Sequence, residues 1–217
     1  MKRRTGMPRF THSKNGRFFN DKGFTLIEIA IVLVIIGLII GAAVKGRDLI
    51  QSGKQKKFYT NSLKAWEIAV VSYYDRTGQV LGDGTANGGT AAATNGIFDN
   101  IGGANFAPIN ARLLAVGLTV PVSNTANTNQ FTYKGQTSGN QTIILSLSNL
   151  NGNSLQFTNM PTDLAVALDT MIDGSGNTSR GSFRQWPNPA DNANAPWPDA
   201  AAAATSVVNA QYIIDVP

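Results

Sequence analysis

Residues 24–44 read FTLIEIAIVLVIIGLIIGAAV, and Glu28 is the one charged residue among them. As an α-helix this run is about 31 Å long, the thickness of a bilayer hydrocarbon core. It is apolar on every side, so it has no polar face to offer water and does not read as the surface helix of a globule. A cleaved secretory signal would have a shorter apolar region followed by small residues at a cleavage site. Here Lys45 and Arg47 follow the run directly. The reading is a membrane-spanning helix.

Charge is distributed in blocks around that helix. Residues 1–23 carry seven Lys/Arg against Asp21, residues 45–64 carry six basic groups against Asp48, and residues 65–217 carry five basic and ten acidic groups. The net +5 of the whole chain therefore belongs to its N-terminal part. The body has no basic stripe with interleaved aromatics, and no nucleic acid partner is expected. Basic residues flank the span on both sides in similar number, so the positive-inside rule does not orient it. The chain has no Cys and a single His, His12. That excludes disulfides and thiolate chemistry, and leaves nothing for a Ser-His-Asp triad or a multi-His metal site in the body.

Helical signals continue past Val44. No Pro occurs from Lys45 to Arg76, and Tyr59, Leu63, Trp66, Val70 and Tyr73 recur at spacings of four and three. Thr77-Gly78 supplies a stop, with Gly78 as a left-handed C-cap. One helix from Phe24 to about Arg76 is expected, apolar all round in residues 24–50 and amphipathic in 51–76. Gly46 and Gly53 are weak points within it.

Residues 77–217 read as a small α+β head with an antiparallel sheet. The segment 78–103 holds eight Gly and reads as a flexible excursion with few core-forming groups; 82–96 in particular is expected to be mobile. A short helix is expected over Ala111–Val116. Gln130–Lys134 and Thr142–Leu150 read as a hairpin, and Ser154–Thr158 as a third strand. Thr162 is expected to cap a helix over Asp163–Ile172 with Leu164, Ala167, Leu168 and Met171 on one face. Tyr212–Val216 is expected to be a last strand, and Trp66, Tyr73 and Tyr74 are expected in the core.

The stretch Lys22-Gly23-Phe24-Thr25-Leu26-Ile27-Glu28 resembles the processing site of type IV prepilins and type II secretion pseudopilins. In that family a prepilin peptidase cuts after a Gly on the cytoplasmic side and methylates the new N-terminus. The resemblance implies that residues 1–23 are a cleaved basic leader, that cleavage falls between Gly23 and Phe24, and that Phe24 is N-methylated. Lys22, Thr25, Leu26 and Ile27 would complete the recognised motif. It further implies a structural subunit without catalytic residues, a pilin, minor pilin or pseudopilin, assembled into a filament through its N-terminal helix. Implied partners are the prepilin peptidase, other pilin subunits, an inner-membrane assembly platform with a cytoplasmic ATPase, and membrane lipid. The implied location is the cytoplasmic membrane with the N-terminus inside and the head outside, and then an extracytoplasmic filament. A single-span anchored binding or sensor domain is the alternative.

Glu28 carries a physical argument of its own. A carboxylate at membrane depth costs about 2.5–3.5 kcal/mol on insertion scales, so it needs a role or a partner. Cleavage after Gly23 would create an amine four residues earlier. In a bundle of staggered copies, Glu28 of one chain can pair with the Phe24 amine of another and fix axial register. Gly37 and Gly41 form a small-xxx-small pattern that permits close helix approach. Asp173, Ser175 and Asn177 alternate like the start of a calcium loop, but Thr178 and Arg184 stand where the loop's Gly and Glu belong. A solvated turn is expected there. Calcium is kept as an option only, and no cofactor is otherwise expected.

Overall fold

The computed structural model describes residues 23–103, 106–174, 176–187, 195–202 and 205–216. The basic leader up to Lys22, with His12, and Ser175 lie outside the described residues. The chain divides into two compact units, Met1–Asp48 and Leu49–Pro217. The architecture is α+β, a long N-terminal helix and a five-stranded antiparallel sheet.

Helix α1 runs over Leu26–Phe58. Within the first unit its side chains are exposed all the way round, and its most apolar window has a mean hydropathy of 2.9 with none of its residues buried. This is the exposure expected of a helix whose solvent is hydrocarbon.

In the second unit the helix does not stay α-helical. Tyr59–Lys64 form a π-helical turn, and α2 follows over Ala65–Thr77. The reason lies in Phe58 and Leu63, both buried. Five residues of α-helix would set them about 140° apart. A π-turn closes its hydrogen bonds over five residues and turns both toward the core. Phe58 then meets Phe131, Tyr133 and Phe157 edge-on at 5.6, 6.1 and 6.0 Å. Beyond the turn Trp66, Val70 and Tyr73 continue the buried face, with Trp66 edge-on to Phe106 at 5.1 Å. From Leu63 to Tyr73 the expected apolar stripe is the one that packs, but Tyr59, expected to begin it, is only half-buried and Phe58 takes the inward place. Helix α2 ends at Gly78, whose φ of 65° and N–H bond to Tyr74 O make it the left-handed cap expected.

The sheet has the order β1-β2-β3-β5-β4, with every pair antiparallel. Strand β1 is Gln130–Lys134, β2 Asn140–Ser148 and β3 Ser154–Pro161; β4 is Phe183–Gln185 and β5 Val207–Ile213. The expected hairpin is present, with Phe131 opposite Ile143. Phe131, Ile143, Leu145, Leu147, Leu155, Phe157, Ala210 and Tyr212 line the inner face. A polar knot fastens the helix to β5. Lys64 Nζ lies 2.6 Å from Glu67 Oε2 and donates to the Tyr212 hydroxyl at 3.1 Å; that hydroxyl in turn reaches Glu67 Oε1 at 3.1 Å. At the outer edge of β1, Thr132 N donates to Asn124 Oδ1 and Asn124 Nδ2 donates to Thr132 O, at 2.8 and 2.7 Å. Ser123 and Thr125 hydroxyls both donate to Gln130 O.

Several expectations need correcting. Helix α3 spans Ala107–Ala115, not Ala111–Val116, because Pro108 sits in its first turn, where a missing N–H costs nothing. Strand β2 ends at Ser148, β3 extends to Pro161 and β5 occupies Val207–Ile213 rather than Tyr212–Val216. Helix α4 spans Thr162–Asp173, and Thr162 does not cap it. Its hydroxyl donates to Thr205 O instead. The buried face of α4 is Leu164, Ala165 and Leu168, while Met171 is exposed. Strand β4 has three residues and no hydrophobic alternation of its own; it exists by pairing with β5.

The segment 78–103 departs most from its reading as a loop without core groups. Val80, Leu81, Phe98 and Ile101 are buried. Two carboxylates organise the backbone between them. Asp83 accepts from the N–H groups of Asn95 and Gly96 at 3.0 and 2.6 Å. Asp99 Oδ2 accepts from Gly84, Thr90 and Ala91 at 2.9, 2.8 and 2.7 Å. Each carboxylate supplies acceptors that a strand partner would otherwise provide. Gly89 is required by close approach, since a Cβ there would sit 2.2 Å from Asp99 Oδ2. Asn153 ties the loop to the sheet, accepting from Phe98 N at 2.8 Å and donating to Gly96 O at 3.0 Å.

Candidate functional site

The N-terminal motif begins as exposed, non-helical chain. Gly23, Phe24 and Thr25 precede α1, and Phe24 is 82% exposed. Among the described residues, nothing lies within 4 Å of where a Cβ on Gly23 would sit. Thr25 is the N-cap residue of α1 and Glu28 is the third residue of its first turn.

Those two residues close on each other. Glu28 Oε2 accepts from Thr25 N at 2.8 Å and from the Thr25 hydroxyl at 2.9 Å. Glu28 N donates back to Thr25 Oγ1 at 3.3 Å. This is a reciprocal capping box, in which the Thr and Glu satisfy N–H groups that a helix start leaves without partners. The pattern Thr-x-x-Glu ahead of an apolar run is a sequence signature of that box. Reading Glu28 only for its charge overlooked it. Glu28 thus has a local partner in Thr25 before any other chain is considered, and its position at a helix N-terminus suits a negative charge. Leu26 and Ile27 are exposed. Lys22 lies outside the described residues.

Farther along α1, Gly37 and Gly41 have open space where a side chain would be, one turn apart on one face. That face permits close approach of another helix.

The second unit offers less. Asp173, at the end of α4, accepts from Ser182 N at 2.9 Å and Phe183 N at 2.8 Å, and the Asn177 side-chain oxygen accepts from Ser179 N at 3.0 Å. Both therefore serve the turn itself. Among the described residues no three His, Asp or Glu side chains gather as a metal site would need. One turn earlier on α4, Asp169 is fully buried, with Oδ2 accepting from Trp197 Nε1 at 2.6 Å and Oδ1 without a hydrogen-bond partner. Burial pushes its carboxyl up to about 6; the Trp197 bond opposes that rise, and the nearby Asp173 carboxylate adds to it. A groove of about 280 Å³ on the helix is lined by Lys64, Glu67, Ile68, Val71 and Ser72. Its one charged pair is already engaged with Tyr212.

Residues 19–44 match the family model of the prokaryotic N-terminal methylation motif, the prepilin-cleavage motif of type IV pilins and pseudopilins. The match ends at Val44, and residues 45–217 lie beyond it. No curated protein and no solved structure matches the chain. The motif and the apolar helix together mark a pilin-like prepilin peptidase substrate, with partners of the pilin type, and they are compatible with a single-pass inner-membrane protein.

Proposed function

We propose that the chain is made as a precursor and cut between Gly23 and Phe24. Phe24 is then N-methylated, and the mature chain is assembled as a structural subunit of a type IV pilus-like or type II secretion filament. It acts as a pilin, minor pilin or pseudopilin rather than as an enzyme. The observation that carries this reading is the methylation motif over residues 19–44, in which Gly23–Thr25 are non-helical chain directly ahead of a capped helix that is apolar to Val44 except for Glu28. A peptidase needs an accessible bond, and Gly23 and Phe24 are exposed, non-helical residues. The capping box starts the helix just past that bond, so cleavage removes no helical turn.

The mature subunit waits in the cytoplasmic membrane with its N-terminus inside and its head outside. Cleavage gives Glu28 a second potential partner, the new amine of Phe24. Within one chain Thr25 already occupies the carboxylate. In a bundle, the amine of a neighbouring copy pairs with Glu28 and sets the axial stagger, the best-attested use of a buried ion pair. Gly37 and Gly41 let the helices approach closely. An assembly platform driven by a cytoplasmic ATPase supplies the work of lifting the subunit from the bilayer. Intact-mass and N-terminal peptide spectrometry of native material tests the reading. The expected product starts at N-methylated Phe24. A chain that keeps Met1–Gly23 is a single-span anchored domain instead, and one cut beyond Lys45 is a secreted one.

A further inference from the structure

The last turns of α1 present a face that the reading above leaves unused. Leu49 and Ile50 are 74% and 62% exposed, although they belong to the unit Leu49–Pro217. Seven residues on, Lys56 and Lys57 are exposed as well. Seven residues make about two α-helical turns, so Leu49 and Lys56 share one line along the helix and Ile50 and Lys57 the next. Gly53 lies between the lines with open space around it, and exposed Lys54 flanks them.

The opposite side of the same turns is taken. Gln51 Nε2 donates to Tyr133 Oη and to Asp163 Oδ2, both at 2.9 Å, and Phe58 is packed among three aromatic rings. The aliphatic and lysine-bearing face therefore points away from the head. Among the described residues Lys54, Lys56 and Lys57 have no acidic partner; the ion pair in this unit is Lys64–Glu67. Compensation of a helix dipole does not account for the lysines, because helical structure runs on to Thr77.

A face that combines bare aliphatics with unpaired cations matches one surface well, the boundary between phosphate headgroups and acyl chains. Helical Cα–Cβ bonds tilt toward the N-terminus, so the lysine stems lean back along Leu49 and Ile50. Those two residues follow the end of the apolar run at Val44 by five and six positions, so the chain itself delivers the face to the bilayer. We propose that Leu49, Ile50, Lys54, Lys56 and Lys57 form a contact surface for the anionic phospholipid headgroups of the membrane that the preceding apolar run crosses. The proposal rests on the membrane-anchor reading. A polybasic segment beside a membrane helix attracts anionic lipid, each Lys contributing on the order of fivefold in association.

The test uses the full chain reconstituted in vesicles of phosphatidylcholine, alone or mixed with phosphatidylglycerol. Spin-labelled forms of each lipid report which is held at the protein surface. The expected result is a preference for the phosphatidylglycerol label of at least about fivefold, weakening as salt is raised. The triple variant Lys54→Gln, Lys56→Gln, Lys57→Gln should lower the ratio several-fold, the basic groups of residues 1–23 and Lys45 and Arg47 being common to both proteins, and Leu49→Ser with Ile50→Ser should reduce it. Equal association of the two labels, or a preference that the triple variant keeps undiminished, would overturn the proposal. So would loss of self-association in the triple variant without any lipid preference, since the face then belongs to a second copy. A chain that fails to float with the vesicles sinks the anchor reading as well; one that floats without preferring the anionic label sinks only this surface.

Discussion

Glu28 and Asp169 are both acids on helices, and the two ends of the chain treat them in opposite ways. Glu28 stands at the start of α1 and is exposed, with its carboxylate held by its own neighbour Thr25. Asp169 lies in the interior of α4, fully buried, with one oxygen bound by Trp197 from far along the chain and the other unpaired. The first needs no tertiary structure for its local partner and stays available to another molecule. The second is bound up with the folding of its unit and pays for its ionisation there. Exposure, rather than residue type, separates an acid that another chain can reach from one that serves packing.

Removing Glu28 should break that contrast most severely. Glu28→Ala inserts more easily, since the carboxylate is the costly group. It also leaves each copy in the bundle with an unpaired cation, which is worse than losing both charges. Filament yield should fall at least about tenfold, the equivalent of roughly 1.4 kcal/mol per contact, while membrane-bound mature subunit accumulates. Sheared or secreted filament is compared with the membrane pool in a host with the cognate machinery. Wild-type yield from this variant would make Glu28 a helix cap and nothing more.

Asp169→Asn is the counterpart, with an effect on stability instead. The folded-state pKa, about 6, stands above the ordinary value of 3.8, so the native state holds the proton better than the unfolded chain. The cost of ionisation is therefore absent below about pH 4, grows as pH rises toward 6 and is fully present above it. It amounts to something on the order of 3 kcal/mol. The Asn variant keeps an oxygen for Trp197 Nε1 and should be the more stable form at pH 7.5, with the advantage vanishing near pH 4. Melting curves of the full chain in detergent across that range provide the check. Parallel curves for the two proteins would mean that Asp169 ionises as freely folded as unfolded.

Thr25→Ala gives the smallest effect and sharpens the comparison further. Loss of the N-cap should cost about 1 kcal/mol at the start of α1. The amide protons of residues 26–28 should exchange several-fold faster, with the head's melting temperature unchanged. Unaltered exchange would show that Glu28 holds the first turn without Thr25.

What could be read in the sequence follows the same division between local and distant. The face made by Leu63, Trp66, Val70 and Tyr73, the stop at Gly78 and the hairpin of β1 and β2 all rest on contacts with short periods or on one residue's backbone preference. The π-turn at Tyr59–Lys64 was not legible, because it answers a demand from Phe131 and Phe157 that both Phe58 and Leu63 face inward. Nor was the scaffolding of residues 78–103 by Asp83 and Asp99. A carboxylate that binds backbone N–H groups eight to fifteen residues away leaves no spacing rule behind. Glycines that read as freedom were places where backbone meets carboxylate. At the N-terminal motif, the cleavage junction and the apolar run were plain. The Thr25–Glu28 box is equally local, and its Thr-x-x-Glu spacing ahead of an apolar run is a signature legible in the sequence.

The outer edge of β1 has a consequence for how copies of this chain can meet. A free strand edge is a template on which a second chain can add its own strand, and unchecked addition ends in aggregates. Here Asn124 pairs with both backbone groups of Thr132, as an incoming strand would, and Ser123 and Thr125 occupy Gln130 O two residues away. The edge is plugged with side chains that do not themselves propagate. Any strand approaching it must first displace them, so lateral growth through this edge is opposed. On the filament reading proposed above, association that repeats from copy to copy would then run through the helix and not through this strand edge.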